Sequence, residues 1–269
     1  MSTAQRPVLV APDKFKGTLS SRQVAGAVAE GLLRIGIVSD VCQIADGGEG
    51  TIETVQQAVG GELVAAPASD ALGRPTAARY LRLSERRALI QTSDAIGLEL
   101  IAAGERDALA ASSRGAGQLL VAAAEAGATA LQIGIGGTAS SDGGAGALEV
   151  LREARLLGDE RVKLIALCDV RAAWEQAATV FARQKGATDD EVVVLERRLG
   201  RFAAGLPKDP RGRMMTGAGG GLAGGLWAAA GAELKSGAAW VLDQVDFTPR
   251  MLAARAVITG EGSLDRQTL

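Results

Sequence analysis

Lysine is scarce in this chain, six against 23 arginines, yet three of the six fall in short motif-like segments. Lys14 and Lys16 stand two apart in "DKFKGT" (13–18), and Lys185 follows Gln184 in "FARQKGAT" (181–188). Acids stand in similar company. Asp46 opens "DGGEGT" (46–51) with Gly47 and Gly48 behind it, and Asp142 closes a run of hydroxyls in "IGIGGTASSDGGAGAL" (133–148). That stretch of sixteen holds six glycines, Gly136 and Gly137 among them, with Thr138, Ser140 and Ser141. "TGAGGGLAGG" (216–225) is backbone almost alone, centred on Gly219, Gly220 and Gly221, and "TGEGSLDRQT" (259–268) supplies Glu261 and Asp265. Glycine loops at helix starts present backbone N–H groups to phosphate oxygens. Lysines neutralise an anion, and a carboxylate accepts a proton or holds a divalent cation. Glu49 and Thr51 read as caps of the helix that follows them. Five glycine loops, nearly all at the ends of expected strands, predict one cleft for a polyphosphate and several acid groups.

The elements that must position these loops follow from the pattern. "PVLVAP" (7–12) reads as a buried strand, and "LSSRQVAGAVAEGLLR" (19–34) as a helix with Ser20 and Gln23 at capping-box spacing. "VCQIA" (41–45) and "IETVQQAVG" (52–60) repeat the plan. Residues 62–92 differ: "ELVAAP", "TAARYLRL" and "RALIQTS" are short strands with "DALGRP" as a turn, which predicts antiparallel pairing. Alternation then resumes with a helix over 113–128, strands "LQIGI" and "VKLIALCDV", helices near 172–181 and 189–204, and a last strand in "ARAVITGEG" (254–262). The fold class expected is α/β in two lobes with largely parallel pairing in one. One lobe takes residues 1–61 and 252–269, and a mixed α/β lobe, 62–251, is inserted between.

Composition excludes several function classes. The chain of 269 residues carries 29 basic and 31 acidic residues with no basic tract, and aromatics make up 3%, so nothing signals nucleic acid. It contains no histidine, which removes Ser-His-Asp chemistry, imidazole acid–base work and histidine-held metal. No apolar run reaches membrane-spanning length, and a soluble cytosolic protein is expected. Cys42 and Cys168 stand alone and read as small buried hydrophobes. No GxxxxGK[ST] occurs. A GxGxxG at Gly219, Gly221 and Gly224 follows a polar loop rather than a strand, which argues against a dinucleotide fingerprint.

Taken in order, the segments resemble the bacterial glycerate kinase family. They read "APDKFKGTLSS" (11–21), "ADGGEGT" (45–51), "ALGRP" (71–75), "GIGGTASSDGGAGAL" (134–148), "CDV" (168–170), "FARQKGAT" (181–188), "TGAGGGLAGGL" (216–226) and "ITGEGSLDRQTL" (258–269). Two departures stand out: "RAAWEQ" replaces an Asn-Pro segment after "CDV", and Arg183 stands where a proline usually precedes the QKG. The stretch between Leu148 and Cys168 is also shorter than is common in that family. The resemblance implies a two-lobed enzyme, one lobe flavodoxin-like, that moves the γ-phosphoryl of ATP, with Mg²⁺, onto a hydroxyl of D-glycerate. On that basis Lys16, Asp46 and Asp142 are the catalytic candidates, with Asp46 and Asp142 for base and metal ligand. Lys14 and Lys16 would meet phosphate or the substrate carboxylate, Lys185 and Gln184 would form a further anionic contact, and Gly47, Gly48, Gly136, Gly137, Thr138, Ser140, Ser141, Gly219, Gly220 and Gly221 would cradle ligand. Asp169, Glu261 and Asp265 are reserve metal ligands.

Two other readings compete, a non-catalytic ligand-binding remnant of the same fold and a nicotinamide-dependent oxidoreductase. The partner expected is a small molecule, with neither nucleic acid nor membrane, and a homo-oligomer is left open. "ARAVITGEGSLDRQTL" ends on the first residues of an expected helix. Residues 1–269 alone are therefore expected to leave a sheet edge open, to associate through it, and to release no ADP in response to glycerate.

Overall fold

The computed structural model describes residues 6–15 and 18–262. Two sheets make up the α/β fold. The smaller has three parallel strands in the order β2-β1-β9: β1 Val8–Val10, β2 Ser39–Val41 and β9 Ala256–Ile258. The larger has six in sequence order, β3 Glu62–Ser69, β4 Pro75–Ser84, β5 Arg87–Gln91, β6 Ala130–Gly134, β7 Lys163–Leu167 and β8 Glu233–Lys235. Its first three strands pair antiparallel, and β5 to β8 run parallel. The turn between β3 and β4 is built by Asp70, whose Oδ1 accepts from the Leu72 and Arg74 amides at 2.9 Å each.

Side chains alternate across the large sheet and so feed two cores. Ala88 and Ile90 of β5, Leu131 and Ile133 of β6, and Ala166 of β7 face α4 (Arg114–Glu125), α5 (Ala145–Glu153) and α8 (Leu222–Ala230). Leu81, Leu89, Ile165 and Leu167 face the other way. There they meet Ile52 and Val55 of α2 (Thr51–Val59), Val241 and Val245 at α9 (Gly237–Gln244), and Leu9, Ala11 and Cys42 of the small sheet. Each fully buried Leu or Ile contributes roughly 1.5–3 kcal/mol, so this second core holds the two sheets together. Helix α1 (Ser21–Arg34) starts on the expected capping box and packs Ala25 and Val28 on Val8 and Val10. An outer layer of α6 (Gln176–Thr179) and α7 (Asp189–Ala204) closes over Trp174.

The structure corrects several expectations. β2 lies at Ser39–Val41, two residues before "VCQIA", because Ile44 and Ala45 turn down into the inter-sheet core. The helix near 172–181 is the single turn of α6. β8, α9 and α10 (Phe247–Ala253) lie in a stretch read as running straight on to the last strand. Helix α2, grouped by sequence with the first lobe, packs on β4 and β5 of the large sheet. Among the described residues β9 pairs with β1 alone, and Val257 and Ile258 are exposed. No helix among them is long and apolar enough to cross a membrane. Both cysteines are buried, and burial pushes the Cys168 thiol up to about 12.

Candidate active site

The parallel strands of both sheets release their loops at one ridge, the place where open α/β sheets bind ligands. The loops there touch backbone to backbone. A Cβ on Gly134 would lie 2.2 Å from the Gly47 carbonyl oxygen, and one on Gly136 would lie 2.8 Å from the Gly48 Cα. On its far side Gly47 meets Gly237 at the start of α9. The "ADGGEGT" segment thus threads between the two sheets, and no side chain fits at the crossing. Lys14 reaches the same loop, its Nζ donating to the Glu49 carbonyl at 2.7 Å. Asp13 donates its amide to the Gly260 carbonyl at 2.8 Å, which brings in the segment carrying Glu261. Lys16 and Asp265 lie outside the described residues.

Lys185 is the best-defined cation of the ridge. A 3-10 turn at Arg183–Lys185 ends on Gly186, whose φ of +97° lets the chain swing into the Thr188/Glu191 capping box of α7. The side chain is therefore held from both ends and driven inward, with 3% of the residue exposed. Its Nζ donates to the Ser140 carbonyl and, at 3.4 Å, to Thr138 Oγ1. Among the described residues no carboxylate is paired with it as an ion pair. Burial draws its ammonium down from 10.5 to about 8, and the charge of Asp142 opposes that fall. Gly220 passes directly over it, since a Cβ there would stand 3.0 Å from Nζ and 2.2 Å from the Ser140 carbonyl oxygen. Beside it the hydroxyls of Ser140 and Ser141 are buried with no hydrogen-bond partner among the described residues, as is that of Ser93 at the start of α3 (Ser93–Ile96). Gly137, with φ of +63° and an exposed backbone, stands next to Ser93. A buried ammonium with no ion-pair partner among the described residues, beside several unsatisfied donors, is costly. The same groups form a ready set for an anion.

The acids divide. Asp142 is saturated: Oδ2 accepts from the Ser113 amide and hydroxyl at 2.8 Å each and from Gly146 N at 3.1 Å, and Oδ1 accepts from Gly144 N at 3.0 Å. It ties the starts of α4 and α5 together, with Oδ2 the more heavily engaged of its two oxygens. Asp169 caps α9, accepting from Ser236 Oγ at 2.5 Å and Ala238 N at 2.7 Å. Asp46 differs, because only its Oδ1 is engaged, by Gly48 N at 3.0 Å, and Oδ2 has no partner among the described residues. Glu261 is exposed. Among the described residues no three acids or cysteines gather closely enough to hold a metal by themselves. Gln184 is exposed, and its carbonyl accepts from Arg106.

Sequence reasoning missed a polar chain across the ridge. Gln91 Oε1 accepts from the Thr51 and Ile52 amides at 3.0 and 3.3 Å, capping α2 in trans. Its Nε2 donates to Asp94 Oδ1 at 2.6 Å, and Arg79 bridges Asp94 to Glu53. Burial pushes the Asp94 carboxyl up, against the pull of Arg79. Glu49 and Thr51 therefore do not cap α2: Glu49 faces Lys14, and the Thr51 hydroxyl donates to the Gly48 carbonyl. The only hint in the sequence is the polar cluster "QTSD" at a strand end. It passed unnoticed because no glycine marks it.

The chain is thus a mixed α/β protein whose strand-end ridge gathers a buried lysine beside serine hydroxyls that have no partner among the described residues. The family model of the "Glycerate kinase family" matches residues 8–161 and 155–269. The chain belongs to the glycerate kinase family. It is 36% identical to a protein named "Glycerate kinase" from Bacillus subtilis (strain 168), over 97% of this chain and 78% of that protein. It is 34% identical to "Glycerate 2-kinase" from Escherichia coli (strain K12), with the same coverage. A crystal structure from Salmonella typhimurium LT2, described as a "putative glycerate kinase 2", superposes with a TM-score of 0.82 at 32% identity, over 98% of this chain and 80% of that one.

Proposed function

We propose that this protein transfers the γ-phosphoryl group of ATP to a hydroxyl of D-glycerate. The observation that carries the reading is the anion set itself: Lys185 buried with no carboxylate paired to it among the described residues, beside the unsatisfied hydroxyls of Ser140 and Ser141. Family membership supplies the substrate class. Phosphoryl transfer asks mainly for positioning and for neutralised charge, neither of which needs a histidine.

In the reaction a bond forms between the acceptor oxygen and the γ-phosphorus while the bond to the β-γ bridging oxygen breaks. Lys185 and the hydroxyls beside it hold phosphate oxygens. Asp46, with its free Oδ2, takes the proton of the attacking hydroxyl. Lys14 and Lys16 hold the substrate carboxylate or a phosphate. Gln91, by fixing the start of α2, keeps the Asp46 loop in register with β5. Asp142 acts as a structural clamp rather than as the base. Mg²⁺ needs only one or two carboxylates beside phosphate oxygens and water. Glu261, exposed on the ridge, fits that need, with Asp265 next along the chain, and the ion would supply neutralisation of phosphate charge.

The nicotinamide reading is set aside. The glycines of the GxGxxG match are consumed in packing, Gly219 against Ile135, Gly221 against Trp174 and Gly224 against Thr216. A coupled assay for ADP release with D-glycerate, followed by phosphorus NMR of the product, tests the proposal. Glycerate-dependent ADP release with a phosphoglycerate product is the outcome this reading expects, and it would overturn the expectation from the sequence that residues 1–269 release none. Absence of glycerate-dependent turnover, together with undetectable binding of ATP, would overturn it.

A further inference from the structure

Helix α2 begins on a glycine. Gly50 precedes it with φ of +88° and has no side chain to cap the first backbone N–H groups, which need an acceptor. Gln91, the last residue of β5 and 4% exposed, supplies that acceptor through Oε1, which takes the Thr51 and Ile52 amides. Its Nε2 donates to Asp94 Oδ1 at 2.6 Å, and Asp94 Oδ2 accepts from Arg79 Nε at 3.1 Å. Arg79 Nη2 then returns to Glu53, in the first turn of α2. Four side chains thus close a ring on the start of one helix.

The ring leads to Asp46. The Thr51 amide and hydroxyl both donate to the Gly48 carbonyl, at 3.3 and 2.6 Å, and the Gly48 amide donates to Asp46 Oδ1. The same segment grips the loop beside Lys185. Thr92 Oγ1 donates to the Gly134 carbonyl at 2.9 Å, the Leu98 amide to the Gly137 carbonyl at 2.7 Å, and the Ala139 amide to the Ile96 carbonyl at 2.8 Å. Thr138, within that loop, accepts from Lys185 Nζ. Residues 91–98 are therefore bonded to both loops.

Asp94 decides which way the Gln91 amide points. That amide has a donor end and an acceptor end, and α2 needs the acceptor. A carboxylate has no donor, so Asp94 takes Nε2 and leaves Oε1 for the helix. An asparagine there could not serve both neighbours. With its oxygen on Arg79, its NH₂ would face the Gln91 NH₂; turned over, its NH₂ would face the guanidinium. The Asp94 side chain is 13% exposed, so water offers little relief.

We infer that Asp94, acting through Gln91, is a positioning residue for phosphoryl transfer: it fixes the start of α2 and so holds the Asp46 carboxylate in place relative to Lys185. The inference rests on the reading of Asp46 as the base and adds the group that sets its position.

Asp94→Asn, Gln91→Glu and the two combined test it in the full chain. Each single change breaks the bond between the two side chains. The double change transposes donor and acceptor at constant charge: the new carboxylate takes the α2 amides and the new NH₂, and the new amide oxygen takes Arg79. Turnover is measured by the coupled ADP assay well below each Tm, beside hydrogen exchange over residues 46–55. Each single variant should lower kcat by about tenfold or more, with KM for glycerate within about threefold, and the double variant should recover most of that loss. The Thr51 and Ile52 amides should exchange faster in the single variants and slow again in the double. A ring that only supports the fold would lower Tm and leave kcat of the folded protein intact. Single variants that keep kcat within about threefold of the parent, or a double variant no better than the singles, would overturn the inference while the kinase reading stands. Should Asp94→Asn fail to fold, Arg79→Gln at the half-exposed side of the ring gives the same comparison, and an unchanged kcat there overturns the inference equally. A folded parent without glycerate-dependent turnover overturns both readings.

Discussion

Replacing Lys185 by methionine separates a ligand-holding lysine from a structural one. Methionine keeps most of the apolar stem and removes the ammonium. The fall of the Lys185 value from 10.5 to about 8 corresponds to about 3 kcal/mol against the charged form in the empty fold. Against that stand its hydrogen bonds to the Ser140 carbonyl and Thr138, about 1.5–3 kcal/mol for a charged donor. The two nearly cancel, so stability at pH 7 should change by no more than about 1–2 kcal/mol, a few degrees in Tm. Because the folded value lies below the unfolded one, the unfolded chain holds more protons between pH 8 and 10.5, and the parent gains stability as pH rises through that window. Lys185→Met should lose that gain. Activity should move much further: kcat/KM is expected to fall by about 100-fold or more, about 2.7 kcal/mol of transition-state stabilisation. Thermal denaturation at pH 7 and 10, run beside the coupled ADP assay, reads all three quantities. Activity within about threefold of the parent, or the same pH gain in both proteins, would refute the reasoning.

Lys16→Ala should lower kcat/KM by about 100-fold or more with little change in Tm, if that lysine meets an anion that gains charge during transfer. The two aspartates should part company under substitution. Asp46→Asn should abolish most turnover at unchanged stability, whereas Asp142→Ala should cost about 2–4 kcal/mol in denaturant unfolding, because four donors lose their acceptor. Neither cysteine should react with iodoacetamide in the native protein, since burial raises both thiols. Rapid labelling of Cys168 without denaturant would show that β7 opens locally.

The alternation of strand, loop and helix was legible because it rests on local signals. Ser20 and Gln23 lie three apart, the Asp70 turn closes within five residues, and β6 and β7 are short apolar runs buried on both faces. β8 was not legible. "ELK" has no apolar run, and it is a strand only because β7 offers it an edge. The candidate site shows the same division. Lys185 could be singled out because lysines are rare here, yet nothing in the spacing reveals that Gly220, 35 positions on, closes over its ammonium. The chain of Gln91, Asp94, Arg79 and Glu53 joins residues from α2, β4 and the end of β5. Each of these side chains looks like an ordinary surface polar group until the sheet forms. Asp142 shows the opposite case: an acid after a glycine-hydroxyl run resembles a ligand, and nothing in the spacing reveals the four donors that engage it.

The glycine-rich stretch from 133 to 148 gives the most discriminating test, because its six glycines are bare for different reasons. A Cβ on Gly134 would lie 2.2 Å from the Gly47 carbonyl, on Gly136 2.8 Å from the Gly48 Cα, on Gly143 2.8 Å from Trp174, and on Gly146 2.2 Å from Ser112 Oγ. Gly144 meets Leu222 at 3.3 Å. These five answer to packing, so the abundance of glycine here reports how closely the loops cross rather than how a ligand is cradled. Gly137 is the exception. Nothing but Ser93 Cβ, at 3.8 Å, stands where its side chain would be, and its backbone is exposed with φ of +63°. Gly137→Ala therefore suffers only the left-handed backbone penalty, roughly 1–2 kcal/mol. Gly134→Ala must push two sheets apart against backbone, and a loss of several kcal/mol, about 3 or more, is expected. If ligand lies against Gly137, its alanine variant should raise the KM for one substrate while the fold survives, and Gly134→Ala should lower the yield of folded protein without altering the KM of what remains. Equal effects of the two on stability would mean that the loop yields at the crossing. The ridge would then be too soft to hold Lys185, Thr138 and Ser140 in fixed relation.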